Sequence, residues 1–168
     1  MKKFDTRTLV TIGVLTAIEI VLTRFCSINA WNIRIGFGFV PVAAGAILLG
    51  PLAGGAVAAL GDFLGAVLFP IGPYFPGFTL TAFLTGIVLG LFLHKKQTPG
   101  RLLGAVAVNQ LFLSLLLQSM WISMLYSAPY LPLLATRVVQ CAVMIPTQLI
   151  VVGILSKALG RYRKKALA

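Results

Sequence analysis

An all-α integral membrane protein that crosses the bilayer six times is what the sequence predicts, on three observations. Hydrophobic residues make up 59% of the 168 and charged residues 10%, with a mean hydropathy of +1.00, whereas a soluble domain carries about 25% charged residues. The apolar residues fall into runs close to the roughly 20 residues that a helix needs to cross about 30 Å of hydrocarbon. The basic residues cluster between and beyond those runs, which marks cytoplasmic loops. The length suits a single six-helix membrane domain over residues 1–168.

The first span is Thr8 to Arg24. Lys2 and Lys3 ahead of it resemble the start of a signal peptide, but Glu19 sits inside the run and no small-residue cleavage site follows, so it is a helix. Residues Phe37 to Phe69 would make one helix of about 50 Å, too long for one crossing, and Gly50-Pro51 breaks the run. It therefore splits into Phe37–Gly50 and Leu52–Phe69. Gly77–Leu93, Arg101–Tyr126 and Pro132–Lys157 complete the six.

Charge tests that count. The segment with Lys2, Lys3 and Arg7, the one with Lys95, Lys96 and Arg101, and the one with Lys157, Arg161, Arg163, Lys164 and Lys165 hold eleven of the fourteen basic residues. Six spans put all three on one face; five would divide them. The positive-inside rule selects six, with both termini cytoplasmic. The net charge of +11 is thus a topology signal. It does not point to nucleic acid, since no aromatic-rich basic sheet or helix is present to read bases. The loops 25–36, 69–77 and 127–131 then face outward.

Three charges lie within spans away from their ends: Glu19, Asp62 and Arg137. Each costs roughly 3 kcal/mol at the bilayer centre on insertion scales. Either they pair to fix helix packing, or some line a solvated cavity. In the fifth span Gln110, Ser114, Gln118 and Trp121 share a helical face; in the sixth, Arg137, Gln140, Met144 and Gln148 do. Two such stripes could satisfy each other by hydrogen bonds worth about 0.6–2 kcal/mol each. The crowding of Trp121, Arg137 and Gln140 at the external ends favours a cavity open to the outside.

That cavity has a recognisable chemistry. Arg24, Arg34 and Arg137 supply cations suited to carboxylate or phosphate. Trp31, Tyr74, Phe75, Phe78, Trp121, Tyr126 and Tyr130 supply stacking surfaces, although interfacial anchoring is an equal reading for any one of them. Gln118, Gln140, Thr79 and Thr81 can orient a polar heterocycle. An aromatic heterocycle with an anionic tail is the matching ligand. Glu19 and Asp62 serve either the ligand or the packing. On the first span Thr16, Glu19 and Thr23 form a polar stripe, while Gly13 and Ala17 lie on another side and permit close helix approach, within the chain or to a separate membrane protein. Gly61 with Gly65, and Gly86 with Gly90, are read as internal packing.

Catalysis finds no support. His94 sits at a helix end beside Lys95, Ser and Cys residues lack an activating base, and no HExxH or P-loop occurs. Cys26 and Cys141 are isolated thiols of structural type, and neither a metal nor a cofactor is expected. A membrane enzyme of lipid metabolism would need a carboxylate or His cluster that the sequence does not offer. A channel or structural subunit is the remaining alternative.

The run from Phe39-Val40-Pro41 through Leu60-Gly61-Asp62-Phe63-Leu64-Gly65 to Phe69-Pro70-Ile71-Gly72-Pro73-Tyr74-Phe75-Pro76-Gly77-Phe78-Thr79 resembles the substrate-binding S components of energy-coupling factor (ECF) vitamin transporters. Within them it looks most like the folate-specific branch. Branches for pantothenate and riboflavin share the Gly-Asp segment and the first-span spacing. The resemblance implies a high-affinity subunit that captures folate at the outer face of the bacterial plasma membrane. It further implies association with a transmembrane scaffold and two cytoplasmic ATPases, and delivery by reorientation in the membrane. Gly13 and Ala17 match the family's scaffold-docking spacing, with Gly where Ala is common. The family pocket lies among helices four to six. Asp62 would then be able to read the pterin amino edge.

Overall fold

A computed structural model describes residues 5–29, 34–95 and 97–166, with backbone alone at 29, 34 and 161–166. Helix α1 (Thr6–Arg24) leads into a small antiparallel hairpin, β1 (Ser27–Asn29) and β2 (Arg34–Gly36), in which Ile28 faces Ile35. Helices α2 (Phe39–Leu49), α3 (Pro51–Leu68) and α4 (Pro76–Leu93) follow. Helix α5 (Pro99–Ala107) runs through a π-helical stretch, Val108–Leu117, into α6 (Gln118–Tyr126). Helix α7 (Tyr130–Ala166) ends the described chain. Proline opens α3, α4 and α5, where its missing N–H has no intrahelical partner to lose.

Among the described residues five helical rods are long and apolar enough to cross a membrane, one of them the continuous Pro99–Tyr126. The second expected span differs. Helix α2 has 11 residues, about 16 Å of rise and roughly half of the hydrocarbon thickness. It survives at that length because it is enclosed: Pro41 to Ile47 are all buried, and it packs on α1, α3, α4 and α7. Gly50 at φ 107 turns the chain into α3, as the Gly-Pro break predicts. His94 at the end of α4 brings Nδ1 within 3.1 Å of the Ile47 carbonyl oxygen, capping α2. The helix-end reading of this residue thereby gains a definite partner.

Small residues set the approach of α3 to its neighbours. A Cβ at Gly54 would lie 2.6 Å from the Ala46 Cβ, and side chains at Gly86 and Gly90 would collide with the backbone of Gly54 and Pro51. Lipid gives helices no hydrophobic reason to associate, so close van der Waals contact supplies the cohesion. The core of Val42, Ala43, Ala46, Ile47, Ala53, Val57, Leu89 and Leu93 fills the space between α2, α3 and α4.

Three expectations about elements are corrected. The 25–36 loop contains paired strands, because an outer connection between short extended segments satisfies its backbone by a ladder. The fifth span is not uniformly α-helical. The sixth span is longer than Pro132–Lys157: 37 residues make about 55 Å, and Pro146 does not end it.

Candidate functional site

One cavity of about 370 Å³ opens among α1, the hairpin, α3, α4, the 108–118 stretch and α7. It lies toward the bundle end that carries the hairpin and the 69–75 connection.

At one side α1 delivers Glu19 and Arg24 onto α3. The Glu19 carboxylate occupies the place of a side chain at Gly61, and a Cβ at Gly65 would be 2.8 Å from the Arg24 Nε. Both glycines thus accommodate side chains from α1 rather than a neighbouring backbone. The Arg24 Nη2 donates to the Asp62 carbonyl oxygen at 3.4 Å, and Asp62 Oδ2 accepts from the Thr79 hydroxyl at 2.9 Å. Asp62 therefore both ties α3 to α4 and faces the cavity.

The opposite wall is built from the two expected stripes. Gln110, Ser114 and Gln118 line it from one rod, and Arg137, Gln140, Met144 and Gln148 from α7. Arg137 is 2% exposed; it donates from Nη2 to Gln118 Oε1 at 2.9 Å, and its buried Nε has no hydrogen-bond partner among the described residues. The Glu19 carboxylate of α1 lies against Gly61 of α3, and the Asp62 carboxylate is engaged by Thr79. Counting along α7, Arg137 lies about 10 Å and Gln148 about 27 Å from its first residue.

Of the expected ligand residues, Arg24, Tyr74, Phe78, Gln118, Arg137 and Gln140 line the cavity, as do Glu19 and Asp62. Four others are not among its lining residues. Trp121 directs its indole N–H to the Thr81 hydroxyl at 3.1 Å and packs on Phe75 with ring centroids 5.5 Å apart. Phe75 also meets Phe78 edge-on. Thr79 is spent on Asp62 and on the Tyr74 hydroxyl at 3.2 Å. The Tyr130 hydroxyl donates to the Leu116 carbonyl oxygen at 3.4 Å. Trp31 lies outside the described residues, and the Arg34 side chain does too.

Sequence reasoning missed Ser27, Gly36, Gly38, Thr85 and Asn109 as lining residues. Thr85, four residues after Thr81, had a readable signal. Asn109 lies off the Gln110, Ser114, Gln118 spacing and had none; it is placed on the wall beside its bond with Thr85. On α1, Thr16 and Glu19 are buried while Gly13 and Ala17 are exposed, and a Cβ at Gly13 meets nothing within 4 Å. Among the described residues nothing packs against Gly13.

The family model "ECF-type riboflavin transporter, S component" matches residues 3–161. The chain belongs to the S components of ECF-type transporters. Folate transporter FolT of Clostridium novyi (strain NT) is 40% identical to it over 153 residues, covering 90% of this chain and 88% of that one. Folate transporter FolT of Leuconostoc mesenteroides subsp. mesenteroides is 31% identical, covering 87% and 82%. A crystal structure of FolT bound with folic acid superposes on this S component with a TM-score of 0.87 at 30% identity, covering 92% of this chain and 95% of that one. An S component for biotin superposes at 0.71 with 22% identity, covering 98% and 94%, and supports the fold alone. The S component is accordingly a multi-pass membrane protein and a transport subunit rather than an enzyme.

Proposed function

We propose that this S component captures folate at the outer face of the membrane and delivers it inward with a transmembrane scaffold and two cytoplasmic ATPases. The observation that carries the ligand is the Arg137 guanidinium, buried against the cavity with a donor unused. A desolvated cation with an unused donor is costly in a membrane, and a bound anion offsets that cost.

Shape and polarity narrow the anion. Phe39, Tyr74, Phe78 and Tyr126 line the cavity beside the amides and suit a flat ring system. Folate combines a pterin ring with glutamate carboxylates. Riboflavin has the ring without a carboxylate, and pantothenate the carboxylate without a ring. The neutral groups Thr85, Asn109, Gln110 and Gln148 lie deeper than Arg24, so the uncharged pterin fits inward and the carboxylates toward the arginines, since burying charge costs more than burying a hydrogen-bonded neutral ring. The folate transporters among its relatives, and the folic acid held by a neighbour of the same fold, support this reading.

In this reading residues 1–168 act as a single six-helix unit, with Arg24, Arg137, Gln118, Gln140, Tyr74 and Phe78 as ligand contacts. The exposed face of Gly13 and Ala17 docks the scaffold. Equilibrium titration of the purified chain with folic acid, riboflavin and pantothenate tests it. Saturable binding of folic acid at one site per chain is expected. Preference for either other vitamin overturns the ligand, and retention of none overturns the capture function.

A further inference from the structure

The 108–117 stretch is π-helical, a winding rare in proteins and frequent at functional sites. Its register shows at the exit, where the Gln118 N–H bonds the Leu113 carbonyl oxygen five residues back. Poorer backbone geometry leaves such a stretch dependent on its neighbours, and side chains from both flanking helices hold it. Thr85 of α4 is 2.9 Å from Asn109 Oδ1, and Arg137 of α7 is 2.9 Å from Gln118 Oε1. Between these ties lies Cys141. It is 3% exposed and one helical turn beyond Arg137. Its Sγ is 3.5 Å from the main-chain oxygen of Gln110 and 3.8 Å from that residue's Oε1.

A carboxamide is asymmetric: whichever atom is engaged on one side, the other faces away. Arginine only donates, so its bond to Gln118 consumes that carbonyl oxygen and leaves the N–H groups available. The thiol does the same for Gln110. Its Sγ lies within reach of both Gln110 carbonyl oxygens, with Ser114 as a further hydrogen-bonding neighbour. The side-chain oxygen is thus engaged on that side, and the Gln110 amide N–H groups are left for the cavity that the residue lines. Gln110 is 4% exposed, and at that burial a misdirected amide would carry an unmet hydrogen-bonding demand.

We propose that Cys141 is a positioning residue of the pocket, whose thiol fixes the Gln110 carboxamide with its N–H groups toward the ligand. Gln110, Gln118 and the free Nε of Arg137 together make a wall of donors, selective for a ligand that presents oxygen acceptors there. The idea rests on the pocket reading above only for the identity of the ligand.

Two measurements on the full-length chain test it. With Cys26→Ala as background, the infrared S–H stretching band reports Cys141 alone. It is expected to lie at the low frequency of a hydrogen-bonded thiol and to change position in Gln110→Leu, where of the two Gln110 acceptors only the main-chain oxygen remains. A free-thiol band, or one that Gln110→Leu does not move, overturns the proposal without reference to any ligand. In folic acid titrations Cys141→Ala is expected to bind about fivefold more weakly, the scale of one neutral hydrogen bond, and to add no loss in a Gln110→Leu background. Equal losses in both backgrounds, or no loss in either, overturn it. A wild-type chain that retains no folic acid defeats the functional reading, and the infrared measurement then still decides the role of Cys141.

Discussion

The Glu19 carboxylate of α1 occupies the space that a side chain at Gly61 of α3 would fill. Arg24, a turn and a half further along α1, lies over Gly65 in the same manner. The two glycines make a channel on α3 in which charged side chains from α1 lie flat, so that the pocket's charges are held by shape as well as by hydrogen bonds. Gly61→Ala should displace Glu19 and destabilise the ligand-free protein by about 1–3 kcal/mol, as overpacking does. Thermal unfolding of the purified protein reads this directly, and an unchanged Tm would contradict the channel.

Arg137→Met separates binding from folding. The methionine keeps most of the buried length and removes a guanidinium whose Nε has no hydrogen-bond partner among the described residues. Removing the buried charge relieves its desolvation cost but also removes the donor to Gln118. The ligand-free Tm should therefore fall by no more than the loss of the Gln118 hydrogen bond implies, about 1–3 kcal/mol, while folic acid affinity falls about 10- to 100-fold with the loss of charge-assisted hydrogen bonds. Calorimetric titration alongside a melting curve checks both, and full affinity in this variant would remove Arg137 from the anion site.

Trp121→Phe should behave in the opposite way. The indole reaches Thr81 rather than the cavity, so the variant loses one hydrogen bond, worth about 1 kcal/mol of stability. Folic acid binding, followed by direct retention of ligand, should stay within about threefold of the wild type. A much larger loss of affinity would show that Trp121 touches the ligand.

Gly13→Trp addresses the exposed face of α1. Open space surrounds Gly13, so the purified chain should keep its fold and its affinity for folic acid. Uptake by cells expressing the variant together with the scaffold and ATPases should be abolished, because a bulky side chain prevents close helix approach. Sustained uptake would place the docking face elsewhere.

Much of this was legible from residue order. Span positions follow from apolar run lengths, and the break at Gly50-Pro51 is both a sequence signal and a backbone fact. Gln110, Ser114 and Gln118 of the fifth-span stripe meet the sixth-span stripe across one cavity, since residues about one turn apart stay on one side of a helix, whereas Trp121 of the same stripe is not among the lining residues. The aromatics were harder. Tyr74 and Phe78 line the cavity, whereas Phe75 and Trp121 pack on each other and are not among its lining residues. Composition near a mouth does not say which ring turns inward, because that depends on rotamers chosen by packing.

Hydropathy, charge placement and helical period determined the membrane architecture, its orientation and the polar faces, because each is a local property that bilayer and water read segment by segment. Tertiary structure alone decided that α2 could be short, that Gly61 and Gly65 would seat the side chains of Glu19 and Arg24, and that Asn109 would join Gln110 on one wall. These depend on distances between segments far apart in the chain. The balance of close packing against hydrogen-bond satisfaction is settled only when those segments meet.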